Sequence, residues 1–115
     1  MATNHPVAEQ IVQRQLDAYR ARDIGAFIAT YAPDAELVKV TGDRIAKGHD
    51  EMRKNYGAYF DQNPGLKCEL VKRMTLGNFV IDQEHVTGLS NGRTVDAIAV
   101  YEVADGLIKR VMFIK

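Results

Sequence analysis

The stretch Gly77-Asn-Phe-Val-Ile-Asp-Gln-Glu-His-Val-Thr87, with Asn91-Gly92 and Asp105-Gly106 behind it, decides how the second half of this chain folds. Asn-Gly and Asp-Gly are the dipeptides two-residue hairpins prefer, since both central residues take positive φ. Gly77-Asn78 is a weaker turn pair. Between the turns lie β-branched and aromatic runs, Leu66–Leu76, Phe79–Thr87, Thr94–Val103 and Leu107–Lys115. This pattern predicts a four-stranded antiparallel meander. Taking each dipeptide as the whole loop sets the register, with Arg73 opposite Asp82, Asp82 opposite Tyr101 and Tyr101 opposite Arg110. Glu84, two residues from Asp82, shares its face. A row of two acids, two arginines and a tyrosine is either a solvated ladder or the polar wall of a pocket.

Upstream, the apolar period changes from two to between three and four. Asn4 is placed to cap a first helix with Pro6 in its opening turn. Val7, Ile11, Val12, Leu16 and Tyr19 form its stripe, and it should fray near Ala21–Arg22. Asp23 caps a shorter second helix with Ile24, Phe27, Ile28 and Tyr31 inward, ended by Pro33-Asp34. Glu36–Val40 reads as a strand, Thr41-Gly42-Asp43 as a turn and Arg44–Lys47 as a short return strand. Gly48 opens a third helix to about Gln62, with Met52, Tyr56, Tyr59 and Phe60 inward. Gly57 inside it implies a close helix–sheet approach. The order predicts one α+β domain over residues 1–115. Three N-terminal helices pack in the concave face of a curved, mostly antiparallel sheet, leaving a conical cavity suited to a small ligand.

Composition narrows the function classes. Fifteen basic and fifteen acidic residues cancel among 115, so nothing points to nucleic acid or an anionic membrane surface. No apolar run approaches the roughly 20 residues that span a bilayer, and the N-terminus lacks a signal-peptide pattern. The one cysteine, Cys68, excludes an intrachain disulfide and permits a cytoplasmic location. His5, His49 and His85 have no metal-ligand spacing. His49 is expected exposed and His85 on the outer face. Phosphate loops and serine elbows are absent. No metal and no cofactor is expected.

The layout resembles the nuclear transport factor 2-like superfamily, which holds the ketosteroid isomerases and SnoaL-like polyketide cyclases, with a cone-shaped, cystatin-like α+β fold. The likeness is carried by Ile11-Val-Gln-Arg14 running into Arg22-Asp-Ile24, by Tyr31-Ala-Pro-Asp-Ala-Glu-Leu37, by Gly48-His-Asp-Glu-Met-Arg53 and by Ala99-Val-Tyr-Glu-Val-Ala-Asp-Gly-Leu-Ile108. It implies shape more than chemistry, because one superfold hosts many activities. The isomerase tyrosine falls on Gln15, its base on Lys39 and its protonated acid on Ala99, so steroid isomerisation by that mechanism is not expected. The likeness also orients the sheet. Ala97, Ala99 and Tyr101 face the cavity, and the hairpin registers bring Arg73, Val80, Asp82, Glu84, Arg110, Met112 and Ile114 to the same side. Leu70, Met74, Leu76, Phe79, Ile81, Ile98, Val100, Val111 and Phe113 then form an apolar outer face. Such a face is a liability on a monomer, and a homodimer packed sheet to sheet, as in many members, would cover it.

Asp82 and Glu84 are the candidate acid–base residues, with Cβ atoms about 7 Å apart along the strand. Desolvation and mutual repulsion would raise at least one pKa, while Arg73 or Arg110 would oppose this. An ion-pair ladder with no turnover is the competing reading. Tyr19, one turn after Gln15, is a candidate donor or a core filler. Tyr31, Tyr56 and Tyr59 read chiefly as packing residues. The ligand-binding candidates are Gln15, Lys39, Tyr56, Arg73, Ala99, Tyr101, Arg110 and Met112. Two functions remain open. One is a cofactor-free isomerase, cyclase or dehydratase acting on a small apolar or amphipathic molecule; the other is a noncatalytic ligand-binding or dimerisation module.

Overall fold

The computed structural model describes residues 5–115, so Asn4, read as the first cap, lies outside the described residues. Helix α1 (His5–Arg20) buries Ala8, Ile11, Val12, Gln15 and Leu16 along one stripe. It closes where Asp23 N–H reaches the Ala18 carbonyl and Arg22 takes φ +53°. Asp23 then caps α2 (Ile24–Ile28), its carboxylate accepting from Ala26 N–H at 3.1 Å. Helix α2 is shorter than its apolar stripe suggests. Thr30 turns its hydroxyl back onto the Phe27 carbonyl at 2.7 Å, and the chain leaves the helix there. Tyr31 therefore begins strand β1 (Tyr31–Lys39) and pairs with Ile108, rather than ending a helix.

Strand β2 (Arg44–Lys47) returns antiparallel to β1, and α3 (Gly48–Gln62) follows directly, with Met52 and Phe60 buried. Asn63 stops it by donating to the Tyr59 carbonyl at 2.8 Å. The meander then runs β3 (Lys67–Leu76), β4 (Phe79–Thr87), β5 (Val95–Ala104) and β6 (Leu107–Ile114). The six strands form one sheet in the order β2-β1-β6-β5-β4-β3, with β1 and β6 parallel and every other pair antiparallel. Three helices cover one face of this curved α+β sheet, as expected. Among the described residues no helix is long and apolar enough to cross a membrane.

The turns set register with one success and two corrections. Gly77-Asn78 is a two-residue loop, and Arg73 stands opposite Asp82. Asn91-Gly92 is not the whole β4–β5 loop. Gly92 N–H bonds the Leu89 carbonyl within a longer connection, and the ladder closes at Val86–Val95. Asp82 consequently faces Ala99, and Val80 faces Tyr101. The slip is two residues, so faces are preserved. Asp105-Gly106 does form its tight turn, with φ +53° and +78°. Between Glu102 and Val103, however, a bulge leaves Lys109 unpaired and sets Glu102 opposite Arg110.

That single extra residue reverses the facing of the rest of β6. Val111 is buried and Phe113 packs against the core, while Arg110, Met112 and Ile114 lie on the outer side. The bulge is the cheaper solution, because a regular ladder would bury an arginine and expose Val111 and Phe113. A second bulge between Leu70 and Lys72 turns Leu70 inward against the core, so it is not an outer-face residue. The outer face is nonetheless apolar. Met74 and Leu76 are 58% and 73% exposed, with Val71, Phe79 and Ile114 also exposed.

Two glycines behave differently from each other. A Cβ on Gly57 would meet nothing within 4 Å, so no close helix–sheet contact explains it. A Cβ on Gly88, at φ +75°, would fall 1.9 Å from the Gly65 carbonyl oxygen. Gly57→Ala should therefore stabilise the fold, by up to about 1 kcal/mol. Gly88→Ala should destabilise it by more than about 2 kcal/mol, both read from urea unfolding midpoints.

Candidate functional site

Strand parity brings both acids inward, but to different surroundings. Asp82 is 0% exposed and held two-pronged by Arg73, Nε to Oδ1 at 2.7 Å and Nη2 to Oδ2 at 2.9 Å. Arg73 Nη1 also donates to Gln13 Oε1 at 2.8 Å and lies 3.8 Å from Glu9 Oε2. These contacts tie β3 and β4 to α1. Both carboxylate oxygens of Asp82 are engaged by the guanidinium, and neither Asp82 nor Arg73 lines the cavity. The ladder reading describes this pair.

Glu84 is different. It projects into a cavity of about 290 Å³ between the sheet and the helices. Among the described residues it makes no hydrogen bond or ion pair. Burial pushes its carboxyl up to about 7, the Asp82 charge adds to this, and Lys115, Arg73 and Arg20 pull back. Around it stand Gln15 and Tyr19 from α1, Phe27 from α2, and Tyr56 and Tyr59 from α3. The sheet contributes Tyr31, Ala97, Tyr101 and Phe113. Seven of the sixteen lining residues are aromatic, with Phe27 stacked at a tilt 4.8 Å from Tyr56 and 5.2 Å from Tyr31.

The hydroxyls of Tyr19 and Tyr59 bond each other at 2.9 Å. Those of Tyr31, Tyr56 and Tyr101 make no hydrogen bond among the described residues. Burial raises the pKa of each of these five phenols, so they remain donors at neutral pH. Gln15 is 4% exposed, and its Oε1, itself almost inaccessible, has no partner among the described residues. Lys115 sits at the mouth, its ammonium 5.2 Å above the Phe113 ring, and burial lowers its pKa, with the Lys39 charge adding to this.

The other candidates scatter. Ala99 faces inward but is wholly buried beneath the cavity floor. Lys39 is exposed and outside the lining. Arg110 is on the outer face, 3.9 Å from Glu36, and Met112 lies there too, both displaced by the β6 bulge. Phe113 takes the place assigned to them. Its signal was the adjacent Lys109-Arg110 pair, which breaks alternation between two apolar neighbours. His49 is half-buried rather than exposed, donating from Nε2 to the Tyr31 carbonyl at 2.8 Å. His85 pairs with Asp96 at 2.7 Å on the outer side. Cys68 is buried, its thiol pushed up to about 12 by desolvation. Among the described residues no group of three or more His, Cys, Asp or Glu could hold a metal ion.

A SnoaL-like domain model matches residues 12–111. The chain belongs to the SnoaL-like domain family, within the nuclear transport factor 2-like superfamily. No curated protein matches the sequence of this SnoaL-like domain. Among solved structures, a cystatin-fold protein from Novosphingobium aromaticivorans is 25% identical with a TM-score of 0.87, over 94% of this chain and 97% of its own. A candidate polyketide cyclase from Sinorhizobium meliloti is 25% identical with a TM-score of 0.78, over 91% and 94%. A candidate SnoaL-like polyketide cyclase from Jannaschia, 16% identical over 99% and 88%, shares the fold with a TM-score of 0.81.

The two acids should respond differently to substitution. Arg73→Met strands a buried carboxylate and should cost about 3–5 kcal/mol; Arg73→Met with Asp82→Leu should recover most of that in urea unfolding. For Glu84, a folded-state pKa above the usual 4.5 means that the protonated form favours folding. Its stabilising contribution is complete below pH 4.5 and is lost as pH rises through about 7. Relative to Glu84→Gln, the wild type should lose on the order of 3 kcal/mol across that window, measured by unfolding at stepped pH.

Proposed function

We propose that this SnoaL-like domain binds a small, largely apolar ring compound in the cone and moves a proton on it without a cofactor. The observation that carries this reading is Glu84, a carboxyl that faces the cavity with no partner among the described residues and whose pKa of about 7 suits it to take a proton and return it near neutral pH. The likeness to a candidate polyketide cyclase at 25% identity supports the reaction class.

In the proposed step the Glu84 carboxylate removes a proton from carbon beside a carbonyl. The C–H electron pair becomes the enolate C=C bond as the C=O π pair moves to oxygen, and that oxygen accepts a hydrogen bond from Tyr101 or Tyr56, whose hydroxyls have no other partner among the described residues. Glu84, now protonated, delivers its proton to another carbon for isomerisation, or to an oxygen that leaves as water for dehydration. For ring closure the enolate carbon would attack a second carbonyl carbon of the ligand, whose C=O π pair moves to its oxygen and takes the proton from Glu84. Asp82, locked by Arg73, is assigned a positioning role: its charge raises the Glu84 pKa without touching the ligand. Tyr19, hydrogen-bonded to Tyr59, is a wall residue in this scheme.

The chemistry can be tested without the natural substrate. The ring opening of 5-nitrobenzisoxazole needs only one base in an apolar site, which removes the ring C–H proton as the N–O bond breaks. The coloured phenolate should appear at a rate that rises with pH and levels above about 7. Glu84→Gln should lose roughly 100-fold. Equal rates for the two proteins would overturn Glu84 as a base. Saturable binding of the probe with no Glu84-dependent turnover would instead favour a ligand-binding role without chemistry.

A further inference from the structure

The bulge that reverses β6 brings more than Phe113 to the cavity side. By the same alternation Lys115, two residues on, follows it inward. Among the described residues it is the one basic residue that lines the cavity. Its ammonium lies 5.2 Å above the Phe113 ring, which is itself part of the lining. Lys39 stands beside Phe113 in the parallel β1–β6 ladder, and residues paired in a ladder share a face. Two positive charges thus meet at one edge of an apolar cavity. Among the described residues neither lysine side chain is in an ion pair or a hydrogen bond. Glu84, the one acid of the lining, does not pair with Lys115 either. Burial and the Lys39 charge both act against the Lys115 ammonium, and an arriving anion relieves both.

We propose that Lys115, with Lys39 beside it, recognises a carboxylate on the ligand, so that the cone takes a small planar ring acid. This rests on the cone being a ligand site and adds the charge of what it takes. At the packing density of protein interiors, 290 Å³ holds a molecule of roughly 12 non-hydrogen atoms, about two fused rings with one substituent at the open end. The acid group sits at the mouth and the reacting carbon points toward Glu84. A neutral ligand leaves the two lysines as they are, and a cationic one adds a third positive charge to the same edge. An anion at the mouth also offsets the pull of Lys115 on the Glu84 carboxyl. That makes the carboxylate a stronger base for the proposed step.

Three probes of one shape and different charge separate the possibilities: 2-naphthoate, 2-naphthamide and 2-naphthamidine. Dissociation constants come from NMR titration at about pH 6, below the point where Glu84 gives up its proton. The wild type should favour naphthoate over naphthamide by roughly 5-fold and bind naphthamidine weakest. Lys115→Met should reduce the preference for naphthoate below about 2-fold, and Lys115→Glu should reverse it. Lys39→Met should reduce it by a smaller amount. Equal affinity of the wild type for naphthoate and naphthamide overturns the lysine assignment while leaving the cavity reading in place. So does a preference that survives Lys115→Met unchanged, and so does naphthamidine binding tightest. Failure of all three probes to bind the wild type overturns the cavity reading and this one with it.

Discussion

Asp82 has given up all its water, and Arg73 supplies the charge that makes this tolerable. The guanidinium grips both carboxylate oxygens and extends to Gln13 and Glu9 on α1. One ion pair thus binds two strands and a helix. Its net contribution to stability is small, since desolvation offsets most of the attraction. What it supplies is placement. It holds α1 above the sheet at a fixed height, and it keeps a negative charge two residues from Glu84. The Asp82 charge adds to burial in raising the Glu84 carboxyl to about 7.

The same strand therefore carries two carboxyls in opposite conditions. Both were taken out of bulk water by the alternation of β4, but only one met a counter-ion. The Asp82 oxygens are both engaged by a guanidinium, whereas Glu84, among phenols and phenyl rings, is held near the point of changing charge. The aromatic wall does two jobs here. It excludes water, and it offers three hydroxyls that are not spent on one another.

Much of this was legible before any coordinates. The facing of β4 follows from its alternation, and the Arg73–Asp82 pairing follows from a turn of two residues at Gly77-Asn78. The third helix begins and ends where Gly48 and Asn63-Pro64 place it. The β6 facing was not legible from turn type, because the Asp105-Gly106 turn formed as expected and the bulge lies beyond it. The burial demands of Ile108 and Val111, three apart, were the better guide: residues an odd number apart share a face only if the strand is interrupted. Cys68, Leu70 and Arg73 pose the same puzzle on β3. Gln15 was noticed for where it falls in the family pattern, but its lack of a partner depends on the rotamers of neighbours on other elements, which no local pattern encodes.

The bulges at Val71 and Lys109 carry an evolutionary corollary. Each is a supernumerary residue whose neighbours on either side already hold the facing that a regular ladder would give them. Loss of one codon at either place would straighten the strand and leave every inward side chain where it stands. Elsewhere in these strands the same deletion would swap core for surface. Lineages of this domain can thus drift in length at these two points while the lining of the cone is inherited intact.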